Sequence, residues 1–239
     1  MTSAAVRDAG APAHERVVST GRPPWWLVLL SLLLTVGVTA NLLSRGALER
    51  MDLRVSGVVS TWGLRESSAY PVVWLFTQLG GRVFILAVLA VVVGHVAYRR
   101  RTLLPLVRVL VGLALLTALV YGFKYGTGRT APAFPGSFFH RDGASYPSGH
   151  VANAVLMWGI ARWQAVEYGL PPWVQRLFYW LSLVAPVAAG LAMVALDFHW
   201  VTDAVVGAAL GIVLLGVVHA LDAVVLSRFA RARAGRSSA

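Results

Sequence analysis

Six stretches of this chain are long and apolar enough to reach across a membrane. They cover roughly 25–44, 82–98, 103–123, 150–166, 176–196 and 200–226, each close to the ~20 residues that a helix needs to span hydrocarbon. A backbone inside a bilayer must satisfy its own hydrogen bonds, and continuous runs of this length do so as helices. The expected fold class is all-α: a polytopic membrane protein of six transmembrane helices. The fourth stretch is the weakest, because Asn153, Arg162 and Gln164 interrupt it. Without it the count falls to five and the termini part to opposite sides. Composition excludes a soluble domain, with 57% hydrophobic and 13% charged residues and a mean hydropathy of +0.68.

Orientation follows from the arginines. Arg99, Arg100 and Arg101 lie between the second and third stretches. Arg7, Arg16 and Arg22 precede the first, and Arg228, Arg231, Arg233 and Arg236 follow the last. Positive residues favour the cytoplasmic side, and an even number of spans places all three groups there. Arg45, Arg50, Arg54 and Arg65 dissent on the outer side, diluted by Glu49, Asp52 and Glu66. Three segments result: a disordered cytoplasmic tail over 1–24, one membrane domain over 25–226, and a basic cytoplasmic tail over 227–239. The formal charge of +11 then faces anionic headgroups of membrane lipids. Nucleic acid is not an expected partner, since no soluble basic domain is present to hold it. There is no cysteine, so disulfides and thiolate metal sites are excluded. The connection 45–81 has an amphipathic character (Leu48, Met51, Leu53, Val55, Val58, Val59, Trp62) and suits either an interfacial helix or a cap on the bundle.

One residue type marks the chemistry. Of 21 Lys and Arg residues, Lys124 is the single lysine, and it ends the third stretch on the outer side. Alone, it fits headgroup snorkelling as well as anion binding. Its surroundings favour the anion: Lys124-Tyr-Gly-Thr-Gly-Arg129, Tyr146-Pro-Ser-Gly-His150 and Asp197-Phe-His199-Trp-Val-Thr-Asp203. Arg129 stands in a glycine-flanked turn whose N–H groups can approach an oxyanion. Ser148, Gly149 and His150 precede the fourth helix, where N–H groups and the helix dipole favour negative charge; Ser148 also fits a plain N-cap. His199 and Asp203 are four apart and share a helix face. The carboxylate can fix the imidazole tautomer and free its other nitrogen; a structural hydrogen bond between two helices is the alternative.

These segments, in this order and spacing over Lys124 to Asp203, resemble the type-2 phosphatidic acid phosphatase superfamily of integral-membrane lipid phosphatases. Its members carry Lys-x6-Arg-Pro, Pro-Ser-Gly-His and Ser-Arg-x5-His-x3-Asp. The resemblance implies hydrolysis of a lipid phosphate or diphosphate; the six-span orientation puts that site at the extracytoplasmic face, and the arginine-rich, lysine-poor usage suits a bacterial plasma membrane. In that scheme His199 attacks phosphorus, Asp203 orients it, and His150 protonates the leaving oxygen. Lys124, Ser148 and Gly149 bind the phosphate, and neither metal nor cofactor takes part. Non-hydrolytic binding or transport of a lipid phosphate, or phosphoryl transfer to an alcohol, are the alternatives. Two arginines of the pattern are replaced, by Ala131 and by Met193. Arg129 is the expected substitute, with His140 or Arg141 behind it. Asp197, close to the nucleophile, is expected to pair with Arg129 or Arg141.

Overall fold

The computed structural model describes residues 21–134 and 137–237, with side chains described through residue 224. Most of the tail expected to be disordered, 1–20, lies outside the described residues. The described chain forms eight α-helices: α1 (Trp25–Leu43), α2 (Ala47–Ser60), α3 (Tyr70–Thr77), α4 (Arg82–Arg100), α5 (Leu104–Thr127), α6 (Gly149–Glu167), α7 (Pro172–Ala195) and α8 (Val201–Ser237). A 3₁₀ turn, Gln78–Gly80, joins α3 to α4. Helix α8 continues past 226 to Ser237, through Ala and Arg residues that favour helix.

Among the described residues five helices are long and apolar enough to cross a membrane: α1, α4, α5, α7 and Val201–Val224 of α8. Helix α6 is outside that set, and packing explains why. It is the inner post of the bundle, lying against α4, α5, α7, α8 and the 3₁₀ turn. Ala152, Ala154, Leu156, Met157, Trp158, Ile160, Ala161 and Ala165 are all wholly buried. Its polar side chains meet protein instead of lipid: Asn153 Nδ2 donates to the Gly80 carbonyl at 2.9 Å, and Gln164 Nε2 to that of Pro105 at 3.0 Å. A helix enclosed by its neighbours needs no lipid-facing apolar surface. Its 19 residues rise about 28 Å, enough to cross the hydrocarbon. The protein is an all-helical polytopic membrane bundle.

The outward helices show the complementary pattern. Leu29, Leu30, Leu33 and Val36 of α1 are exposed, as are Leu183, Val187 and Leu191 of α7; these are surfaces for lipid tails. At one end of the bundle Arg108 of α5 bonds Asp222 of α8 at 2.8 Å and Glu167 of α6 at 2.9 Å. That cluster ties three helices together near the end that carries Arg99–Arg101. The C-terminal end of α5 and the N-terminal ends of α4, α6 and α8 meet at the opposite end. The site forms there.

Candidate active site

The end of α5 is shaped by Gly128. It takes a left-handed conformation (φ +60°) and donates its N–H to the Lys124 carbonyl at 2.9 Å. A Cβ here would lie 2.7 Å from the His140 carbonyl oxygen, so only glycine permits the chain to fold back this tightly. The returning loop is held by His140 N–H to Gly128 O at 2.8 Å and Ser145 N–H to Arg129 O at 2.8 Å. Next to it, buried Tyr146 bonds Thr39 of α1 at 2.6 Å, and burial pushes its hydroxyl up to about 12. Helix α6 begins at Gly149, capped by Ser148, whose Oγ accepts from Val151 N–H at 3.5 Å.

These ends enclose a cavity of about 620 Å³, lined among others by Lys124, Gly149, His150, His199 and Arg82. His199 is almost wholly enclosed, and its Nδ1 lies 3.1 Å from Asp203 Oδ2. That bond assigns the proton to Nδ1 and leaves Nε2 with its lone pair. Asp203 is completely buried. Its Oδ2 also accepts from the Ser145 hydroxyl and from Trp200 N–H at 3.2 Å. Lys124 Nζ donates to the Ala144 carbonyl and keeps two further protons for a ligand. Gly149 and His150 occupy the first turn of α6, where N–H groups have no intrahelical acceptor.

The structure thus brings Lys124, Gly149, His150 and His199 around one space, with Asp203 directly behind His199. Two other expected ligands lie elsewhere. Ser148 is fully buried, and its N–H donates to the Asp203 carbonyl at 2.9 Å; it caps α6 and braces α8. Arg129 is also fully buried and does not line the cavity. Its Nη2 bonds Asp52 Oδ2 at 2.6 Å, while Nη1 bonds Asp203 Oδ1 and Thr202 Oγ1 at 2.7 Å. Phe138 and Trp200 rings flank the guanidinium at 4.5 and 5.3 Å. Two carboxylates consume this cation, so it does not fill the place of the missing arginines. His140 and Arg141 do not line the cavity either.

Asp197 pairs differently from expectation as well. Its Oδ1 accepts from Ser56 of α2 at 3.3 Å, and Arg129 is engaged elsewhere. It adopts a left-handed conformation (φ +52°). Burial raises its carboxyl above the usual range, against the lowering effects of Ser56 and Arg65. A group raised on folding contributes stability at low pH that is lost as pH rises through its folded value. Asn tolerates the same backbone and carries no charge. Asp197→Asn is therefore expected to unfold at a higher temperature than the wild type at pH 7, with the difference closing towards pH 3. A thermal melt at the two pH values checks this.

Sequence reasoning missed Asp52, Ser145, Thr202 and Arg82. Asp52 carried a readable signal. It falls on the stripe Leu48, Asp52, Val55, Val59 of α2, where a helix turns its apolar side inwards, and it is 1% exposed. Helix α2 is thus a cap on the site that also leaves Leu53 and Val58 exposed, as the turn after it leaves Trp62. Ser145 and Thr202 gave no such signal, since their roles depend on loops meeting in space. Among the described residues no cluster of three or more His, Asp or Glu could hold a metal ion.

Comparison with known proteins bears on this arrangement. The family model described as the PAP2 superfamily matches residues 105–224. The phosphatidylglycerophosphatase B of Bacillus subtilis (strain 168) is 27% identical over 203 residues, covering 83% of this chain and 94% of that protein. The lipid A 1-phosphatase of Porphyromonas gingivalis is 33% identical over 107 residues, 43% of this chain and 20% of that protein. The crystal structure of a transmembrane PAP2 type phosphatidylglycerolphosphate phosphatase from Bacillus subtilis superposes with a TM-score of 0.63 at 25% identity, covering 83% of this chain and 95% of that one.

Proposed function

The chain belongs to the PAP2 superfamily, and from that membership we propose that it is a lipid phosphatase working through a phosphohistidine at His199. One observation carries the reading: His199, its Nδ1 held by buried Asp203, shares a cavity wall with His150 and Lys124. In the first step Nε2 of His199 bonds to phosphorus and the bond from phosphorus to the lipid oxygen breaks. His150 delivers its proton to that oxygen. Asp203 stabilises the imidazolium that results. Lys124 and the first-turn N–H groups of α6 take the charge on the phosphoryl oxygens. In the second step water attacks phosphorus, His150 receives the water's proton, and the bond to Nε2 breaks to release phosphate.

The substrate is a phosphorylated lipid, in keeping with what the two named relatives act on. The protein sits in the plasma membrane with both termini cytoplasmic and the cavity outside. The arginine-rich end opposite the cavity supports this orientation. The test is phosphate release by the detergent-purified protein from phosphatidylglycerol phosphate, phosphatidic acid and polyprenyl diphosphate. Release from at least one is the expected result. Binding of these lipids without release would transfer the protein to the binding or transport reading, which the removal of Arg129 from the cavity favours. Loss of the lipid's phosphate without free phosphate, with a new phosphate ester formed on an added alcohol, would make it a transferase.

A further inference from the structure

We propose that Arg82 is a phosphate-binding residue of this site, the second full positive charge beside Lys124. The inference rests on reading the cavity as a phosphate site. Arg82 opens α4, and three backbone contacts fix its position. The 3₁₀ turn before it lies so close to α6 that a Cβ on Gly80 would come within 2.4 Å of the His150 carbonyl oxygen. The Gly80 carbonyl accepts from Asn153 Nδ2 at 2.9 Å, and the Leu79 carbonyl accepts from Trp158 Nε1 at 2.9 Å. The segment is therefore clamped to the first turns of α6, and it delivers Arg82 to the wall that contains His150, Lys124 and His199.

The charges around the cavity point to an anion. Arg82 has no hydrogen bond, ion pair or ring contact among the described residues, unlike Arg129 and Arg108, which each hold two carboxylates. Asp203 pairs with Arg129, which it shares with Asp52, and lies behind His199 outside the cavity lining. Among the described residues Asp142 is the one carboxylate in the cavity lining; its side chain is 80% exposed and lies 3.6 Å from His140 Nδ1. Arg82 and Lys124, neither of them in an ion pair among the described residues, suit the negative charges of a phosphomonoester. An arginine adds the paired, planar donors that a phosphate's oxygens accept and that lysine lacks.

The experiment is calorimetric titration of inorganic phosphate into the detergent-purified full chain, comparing wild type, Arg82→Gln, Arg82→Lys and Arg50→Gln. Arg50 is exposed on α2 and lies outside the cavity lining. The expected result is a loss of at least about tenfold in phosphate affinity for Arg82→Gln, with partial recovery in Arg82→Lys and none lost in Arg50→Gln. Where the wild type turns over a lipid phosphate, kcat/KM of Arg82→Gln is expected to fall by ~10²–10³. Unchanged phosphate affinity in Arg82→Gln, or no phosphate binding by the wild type, would overturn the proposal. Titration needs no turnover, so a failure of the hydrolytic reading appears separately, as bound phosphate without release from lipid.

Discussion

His199→Ala is expected to abolish phosphate release from every lipid phosphate that the wild type cleaves, a loss of at least ~10⁴-fold. The size follows from the step that disappears. Without Nε2 there is no covalent intermediate, and water has to attack phosphorus with no base aligned behind it. The framework stays intact, because Asp203 retains Arg129, Ser145 and the Trp200 N–H. The variant should therefore fold, and it should bind inorganic phosphate close to wild-type strength through Lys124 and the N–H groups of α6. Steady-state release assays beside a phosphate titration check both halves. Equal losses of turnover and binding would mean that His199 holds the site together instead of reacting.

Arg129→Ala is expected to strike stability before catalysis. It leaves Asp52 and Asp203 buried without their shared cation, and breaking a buried pair in this way costs about 3–5 kcal/mol. The lesion also weakens the tie between α2 and α8, leaving Asp52 to reach that helix through Thr202, whose N–H it accepts at 3.1 Å. The signature is a large fall in unfolding temperature and in yield of folded protein, with activity lost in proportion to the unfolded fraction. A folded, thermally normal variant with a raised KM would instead place the guanidinium on the substrate, contrary to its burial. Arg82→Gln is expected to show the reverse behaviour: normal folding and weakened phosphate.

Individual residues show how far the sequence carries. Apolar runs identify α1, α4, α5, α7 and α8 because those helices turn leucine and valine towards lipid. Helix α6 reads weakly for the opposite reason, being surrounded by protein that satisfies Asn153 and Gln164. Lys124, His150 and His199 were legible because local motifs place them at helix ends that must face one way across a membrane. The fate of Arg129 was not. From Gly-Thr-Gly-Arg it looks like an anion-binding turn, and only its meeting with Asp52, 77 residues away, reveals a counter-ion. Arg82 stayed hidden because an arginine at the start of a membrane helix has the same sequence appearance whether it faces headgroups or a cavity. Its position depends on Gly80 lying against His150, a contact that no local pattern encodes.

The proposed mechanism routes phosphate through His199. The direct measurement is a rapid quench of the wild type mixed with a lipid phosphate labelled on the transferred group, followed by peptide mapping. An acid-labile, alkali-stable phosphate on the His199 peptide within the first turnover, absent from His199→Ala, is the predicted result. Phosphate released without label on the protein, or label on another residue, would contradict it.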